Sequence, residues 1–121
     1  YHHLGMSLID SDKSPFFSMG RTELNPNAKT LIGIVAGAIR DLPNKLILQG
    51  HTDSHAYPIE SKVTNWSLSA NRADAARKEL LKAGIIGHRI SKLEGLADTQ
   101  PFFIEDKFHP SNRRISIILS D

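Results

Sequence analysis

The six residues Lys45-Leu46-Ile47-Leu48-Gln49-Gly50 constrain this chain more than any other stretch. They are too short for a helix and too continuously apolar for a strand with one wet face. The pattern is that of a strand flanked on both sides. It lies between two segments of helical period, so the chain must alternate strand and helix. The strand also delivers a polar group, His51-Thr52-Asp53, at its C-terminal end, where α/β proteins place their sites.

The first helical segment opens at Asn25-Pro26, a cap-type residue followed by a proline suited to the first helical position. From Ala28 onward Leu31, Ile32, Val35, Ala38, Ile39 and Leu42 recur at helical spacing and predict one buried stripe, ended by Pro43. Gly33 and Gly37 inside it cost about 1 kcal/mol each relative to alanine, which implies either close approach of a neighbour or simple tolerance. A second helix is expected over Ser67–Lys82, with Leu68, Ala73, Ala76, Leu80 and Ala83 inward and Gly84 just past its end. Trp66, at its start, reads as a packing anchor.

Further strands are expected over Gly5–Asp10, over Ile90–Glu94 with Gly95 closing it, and over Arg114–Leu119. Phe16, Phe17 and Met19 read as an apolar cover over one end of the core. The order is β-α-β-α-β-β, without repeats or linkers. It implies an α/β (α+β) two-layer sandwich, with two main helices packed on a mixed four-stranded sheet. At 121 residues and 13.4 kDa, residues 1–121 are expected to form a single domain with one core.

Composition removes several classes of function. There are no cysteines, hence no disulfides, thiolate metal sites or cysteine nucleophiles. The net charge is +2, with five basic and four acidic residues in positions 1–50 against ten and nine in 51–121, so neither part carries the clustered charge of a nucleic-acid footprint. No run approaches the ~20 apolar residues of a membrane span, and the N-terminus lacks a signal-peptide layout. Tyr1-His2-His3-Leu4 runs almost straight into a strand-like stretch, as a piece of a longer protein or a tag remnant would.

The chemistry concentrates between His51 and Arg77. His51 and His55 bracket Asp53, but a zinc-protease pattern needs His-Glu-x-x-His within a helix, and this string leaves a strand, so no metal site is expected. No Gly-x-Ser-x-Gly elbow marks an activated serine. The nearby acids Asp53, Glu60 and Asp74 carry no mark of a glycosidase pair. Ser54–Thr64 is long for a plain connection, which points to a functional loop. Two readings of Asp53 and Arg72 remain open on spacing alone. They form an ion pair between loop and helix, or they form a clamp for a zwitterion, with an ammonium on Asp53 and a carboxylate on Arg72. In the second reading the helix start at Asn65–Ser69 supplies further N–H donors. Of Arg113 and Arg114, strand alternation allows at most one to face the pocket.

Several ordered motifs now coincide: Gly50-His51-Thr52-Asp53, Asn65-Trp66-Ser67-Leu68-Ser69-Ala70-Asn71-Arg72-Ala73, Gly84, Gly95-Leu96-Ala97-Asp98 and Asn112-Arg113-Arg114-Ile115-Ser116. Together they resemble the OmpA-like peptidoglycan-binding domain over nearly the whole chain. The tryptophan in Asn-Trp-x-Leu-Ser and the Asn-Arg-Arg-Ile-Ser corner resemble the MotB-like, flagellar-stator branch of that family. Outer-membrane relatives usually carry a glycine soon after Thr-Asp, whereas Ser54-His55-Ala56-Tyr57-Pro58 and a longer loop follow here, as in the stator-like branch.

The resemblance implies a non-enzymatic, cofactor-free module that binds peptidoglycan through the diaminopimelate of its stem peptide. The ligand-binding positions it implies are Asp53 and Arg72, with Thr52, Asn65, Leu68 and Arg113 around them. It also implies a periplasmic domain of a parent anchored in the bacterial inner membrane, a MotA-like membrane subunit as that parent's partner, and a homodimer. The alternatives are a wall-anchoring domain of another envelope protein, such as an outer-membrane protein, a lipoprotein or a secretion-system component, and a cell-wall hydrolase.

Overall fold

A computed structural model describes residues 3–9, 17, 23–58, 60 and 62–120. Strand β1 (His3–Ile9) leads to helix α1 (Pro26–Ile39), strand β2 (Lys45–His51), helix α2 (Asn65–Lys82), strand β3 (Ile90–Gly95) and strand β4 (Arg114–Ser120). The sheet order is β1-β4-β2-β3, with β2 and β3 parallel and β4 antiparallel to both β1 and β2. β2 is therefore flanked on both edges, which explains its apolar run: only its first residue, Lys45, is exposed. The fold is mixed α and β, two helices on a sheet.

Alternation sorts β2 and β4 into two faces. Leu46 and Leu48 of β2, with Ile115, Ile117 and Leu119 of β4, turn toward the helices and meet Ala28, Ile32, Ala36 and Ile39 of α1 and Ala76 and Leu80 of α2. Phe17 joins this cluster, as expected; Phe16 and Met19 lie outside the described residues.

The stripe of α1 differs from the one its larger residues predict. Ala28, Ile32, Ala36 and Ile39 are buried, while Leu31, Ala38 and Leu42 are exposed. The helix lies close against its neighbours on small residues, and spacing by side-chain size picks a face rotated from the real one. Gly33 and Gly37 have no neighbour within 4 Å of an added Cβ, so these glycines are simply tolerated. The helix ends at Ile39, earlier than Pro43 requires, because Arg89 caps it: its guanidinium donates to the Ile39, Arg40 and Asn44 carbonyls at 2.7, 3.3 and 2.8 Å. Asn25 stands at the opposite end without closing a side-chain cap.

α2 begins two residues earlier than expected. Thr64 and Ser67 form a reciprocal capping box, with Ser67 N–H donating to Thr64 Oγ1 and Thr64 N–H to Ser67 Oγ, each at 3.0 Å. Gly84, at φ +100°, takes the left-handed turn that stops the helix. Among the described residues no helix is long and apolar enough to cross a membrane.

Candidate functional site

The site is built where β2 ends and α2 begins, and a steric notch brings them together. Gly50 of β2 and Gly95 of β3 are register neighbours. A Cβ on Gly50 would overlap the Ser69 carbonyl, and one on Gly95 would stand 2.6 Å from Ala70 N. The first turns of α2 thus rest directly on bare strand backbone. The Ser69 hydroxyl completes the joint, accepting from Ala97 N–H at 3.0 Å and donating to the Trp66 carbonyl at 3.0 Å. Ala97, held at φ +50°, passes the link on by accepting Thr52 N–H at 2.8 Å. Strand end, helix start and the turn after β3 form one rigid corner.

Asp53 leaves this corner 6 % exposed. Its Oδ2 accepts from Arg113 Nη1 at 2.9 Å, and its Oδ1 accepts the His55 backbone N–H at 3.0 Å and faces His55 Nδ1 at 2.9 Å. The backbone bond is an Asx-type turn, two residues on from the carboxylate. Arg113 and His55 thus both contact the Asp53 carboxylate. Arg72, 4 % exposed, sits with its guanidinium carbon 4.6 Å over the Phe17 ring. A guanidinium above an aromatic face gains a cation–π contact that offsets part of the cost of its burial.

The other expected residues fall around this pair. Thr52 is buried, and its hydroxyl has no hydrogen-bond partner among the described residues. Asn65 donates from its side-chain amide to the His55 carbonyl at 3.0 Å, tying the helix start to the loop. Leu68 is buried beneath that turn. Arg113 reaches Asp53, whereas Arg114 lies 5.9 Å from the Phe102 ring, so one arginine of the pair faces the site. Trp66 departs from expectation. At 58 % exposure it anchors nothing: the two glycines let α2 sit so low on the strands that its inward positions go to Leu68, Ser69 and Arg72, and Trp66 points away.

Four contributors stand outside the expected site residues, although Gly50, Gly95 and Asn112 belong to the ordered motifs. His55 touches Asp53 and packs edge-on against Phe108 at 5.0 Å. Asn112 is buried and latches the preceding loop: its side chain accepts Phe103 N–H at 2.6 Å and donates to the Phe103 and Asp106 carbonyls at 3.2 and 2.9 Å. Gly50 and Gly95 are the other two; glycines closing two strands of an α/β sheet are themselves a cue for close backbone approach. His51, register partner of Arg114, is 2 % exposed with both ring nitrogens unpartnered among the described residues. Burial first, then Arg114, pushes its pKa from 6.5 down to about 4 against an opposing pull from Glu94, so the ring is neutral near pH 7. No group of three His, Asp or Glu side chains suited to a metal occurs among the described residues.

The OmpA family profile matches residues 16–114. Motility protein B of Escherichia coli K12 is 32% identical over 117 residues, which is 96% of this chain and 38% of that protein. The chain thus spans well under half the length of this relative. Among solved structures, the periplasmic domain of Helicobacter pylori MotB superposes with a TM-score of 0.80 at 21% identity, over 96% of this chain and 81% of that one. The cell wall anchor of the T6SS from Pseudomonas aeruginosa gives 0.75 at 25% identity, over 98% and 81%. The match spans the strand end, the helix start and the Asn112-Arg113-Arg114 corner, and on it the chain belongs to the OmpA family and is similar to motility protein B in sequence and to the MotB periplasmic domain in fold.

Proposed function

We propose that residues 1–121 act as one module that binds peptidoglycan non-covalently and anchors a longer, membrane-attached parent to the cell wall. The observation that carries this is the corner itself: a buried carboxylate at the end of β2 and a buried guanidinium in the second turn of α2, held by a backbone joint in an OmpA-family chain. In this reading the ammonium of diaminopimelate displaces His55 from Asp53 Oδ1, and the carboxylate on the same carbon meets Arg72. Arg113 keeps Asp53 oriented from the other side, Thr52 lies buried next to it in the chain, and Asn65 and Leu68 shape the wall of the site.

Binding without cleavage fits the acids present. Asp53 is engaged by a guanidinium, and Asp74 is held below the usual carboxylate range by its hydrogen bond to Arg77 and by Lys78, so it makes a poor proton donor. The parent we favour is a flagellar stator subunit working with a MotA-like partner, its wall-binding domain periplasmic and dimeric, because motility protein B is similar over 96% of this chain. Likeness to a T6SS cell wall anchor supports a second parent, the anchor of another envelope assembly.

Sedimentation with diaminopimelate-type sacculi tests the binding role. The chain is expected to co-sediment, and folded Asp53→Ala and Arg72→Ala variants to remain largely in solution. Variants that sediment like the parent chain overturn the site assignment, and release of soluble muropeptides would make the module an enzyme.

A further inference from the structure

We infer that the sheet face turned away from the helices holds an enclosed site for one small monovalent anion, of halide size, between His51 and Arg114. It lies apart from the Asp53 and Arg72 corner and stands whether or not the chain binds peptidoglycan.

Strand geometry puts the two side chains side by side. Leu48 of β2 and Ile115 of β4 turn toward the helices, so alternation turns His51, three residues past Leu48, and Arg114, just before Ile115, to the opposite face. The two are register partners across the antiparallel pair, which sets their Cβ atoms roughly 5 Å apart. One guest can therefore touch both.

What they present to each other is polar and unanswered. His51 is 2 % exposed, and neither ring nitrogen has a hydrogen-bond partner among the described residues. Arg114 Nη1 is likewise closed off from solvent and without a partner among them. Buried donors left dry are expensive, most of all on a charged group, and a guest that accepts from them removes the cost.

Charge decides between a water and an anion. Burial pushes the Arg114 pKa below its ordinary value, the mark of a guanidinium that has lost part of its hydration, and among the described residues no salt bridge offsets the loss. Water would satisfy a donor but bring no countercharge; an anion does both. The neutral His51 ring adds one N–H as a second contact. Size and valence follow from the surroundings. The closure of these nitrogens from solvent leaves no opening for a bulky oxyanion. Glu94 of β3, close enough to act on His51 and with its Oε1 accepting from Gln49 Nε2 at 3.1 Å, disfavours a second negative charge. An anion here ties together the ends of β2 and β4, two residues before Asp53 and one after Arg113.

The test uses the unmodified chain and two variants. Crystals grown with bromide in place of chloride are expected to show one anomalous peak between His51 and Arg114. In solution, chloride or bromide exchanged against gluconate at constant ionic strength should shift the amide NMR signals of both residues along a saturating curve and raise the melting temperature in step. Arg114→Lys and His51→Phe should each weaken halide binding about tenfold, the worth of one hydrogen bond to a charged group. If either variant fails to fold, the peak and the saturating shifts of the unmodified chain still decide. No peak, or shifts that gluconate reproduces, means that water fills the space and overturns the site. A peak without saturable binding in solution marks an adventitious ion only and overturns it as well. Halide binding that survives undiminished in both folded variants places the anion elsewhere and overturns the assignment to this pair.

Discussion

The backbone of Ser69 sits on Gly50 so closely that a single methyl group on the strand would collide with the Ser69 carbonyl. This contact sets the height of α2 above β2 and, through it, where Arg72 emerges relative to Asp53. Side chains could not replace it, because the atom in the way is main chain within a hydrogen-bonded helix and has little freedom to yield.

Gly50→Ala and Gly95→Ala should each destabilise the fold by at least about 3 kcal/mol, the upper end for forcing extra volume into a packed contact. Gly33→Ala and Gly37→Ala, with open space around an added Cβ, should instead stabilise α1 by roughly 0.5–1 kcal/mol each. Urea denaturation of the four variants checks both signs; similar behaviour of all four would show that the helix can ride higher without loss.

Arg113→Ala removes the charge-assisted bond to a nearly buried carboxylate and should cost roughly 2 kcal/mol of stability. Arg113→Lys should recover only part of this, since an ammonium cannot reproduce the planar guanidinium. If Arg113→Ala melts with the parent chain, the ion pair is not what orients Asp53.

His55 competes with the proposed ligand for Asp53 Oδ1, and its side chain is 50% exposed, so the contact is weak. His55→Ala should leave stability nearly unchanged and tighten diaminopimelate-peptide binding about two- to fivefold, the worth of a half-exposed pair. The backbone N–H of residue 55 still reaches Asp53 in this variant, so the loop keeps its turn. Titration calorimetry decides; weaker binding would make His55 a ligand contact instead.

The buried His51 makes stability depend on acid. Its folded pKa of about 4 lies below the ordinary 6.5, so the unfolded chain takes up a proton first as pH falls. The contribution is fully present above pH 6.5 and is lost progressively down to about pH 4, on the order of 3 kcal/mol in all. Denaturation at pH 7.5, 5.5 and 4 should show the parent chain losing stability more steeply than His51→Gln. Parallel losses would mean that His51 titrates alike in the folded and the unfolded chain.

Much of the fold could be read from the sequence because it is written locally. The apolar run at Leu46–Leu48 can only be an interior strand, Pro26 can only begin a helix, and Gly84 can end one without strain. The element order β-α-β-α-β-β follows from such signals in series, and the family resemblance followed from motifs in a fixed order. Each depends on a few neighbouring residues, which is the range over which backbone propensity and periodicity act.

Tertiary structure alone decided which groups meet. Arg113 lies 60 residues from Asp53 and His55 only two, yet both hold the same carboxylate, because the antiparallel pairing of β4 with β2 aligns Arg114 with His51 and carries Arg113 past the strand end. Trp66 looked inward by its hydrophobicity but points to solvent, and Ala36 is buried where Leu31 is not, because the depth at which each helix packs is fixed by the smallest residues in the contact. Periodicity gives a helix a face; only the backbone-to-backbone approach at Gly50 and Gly95 tells α2 how far to turn it.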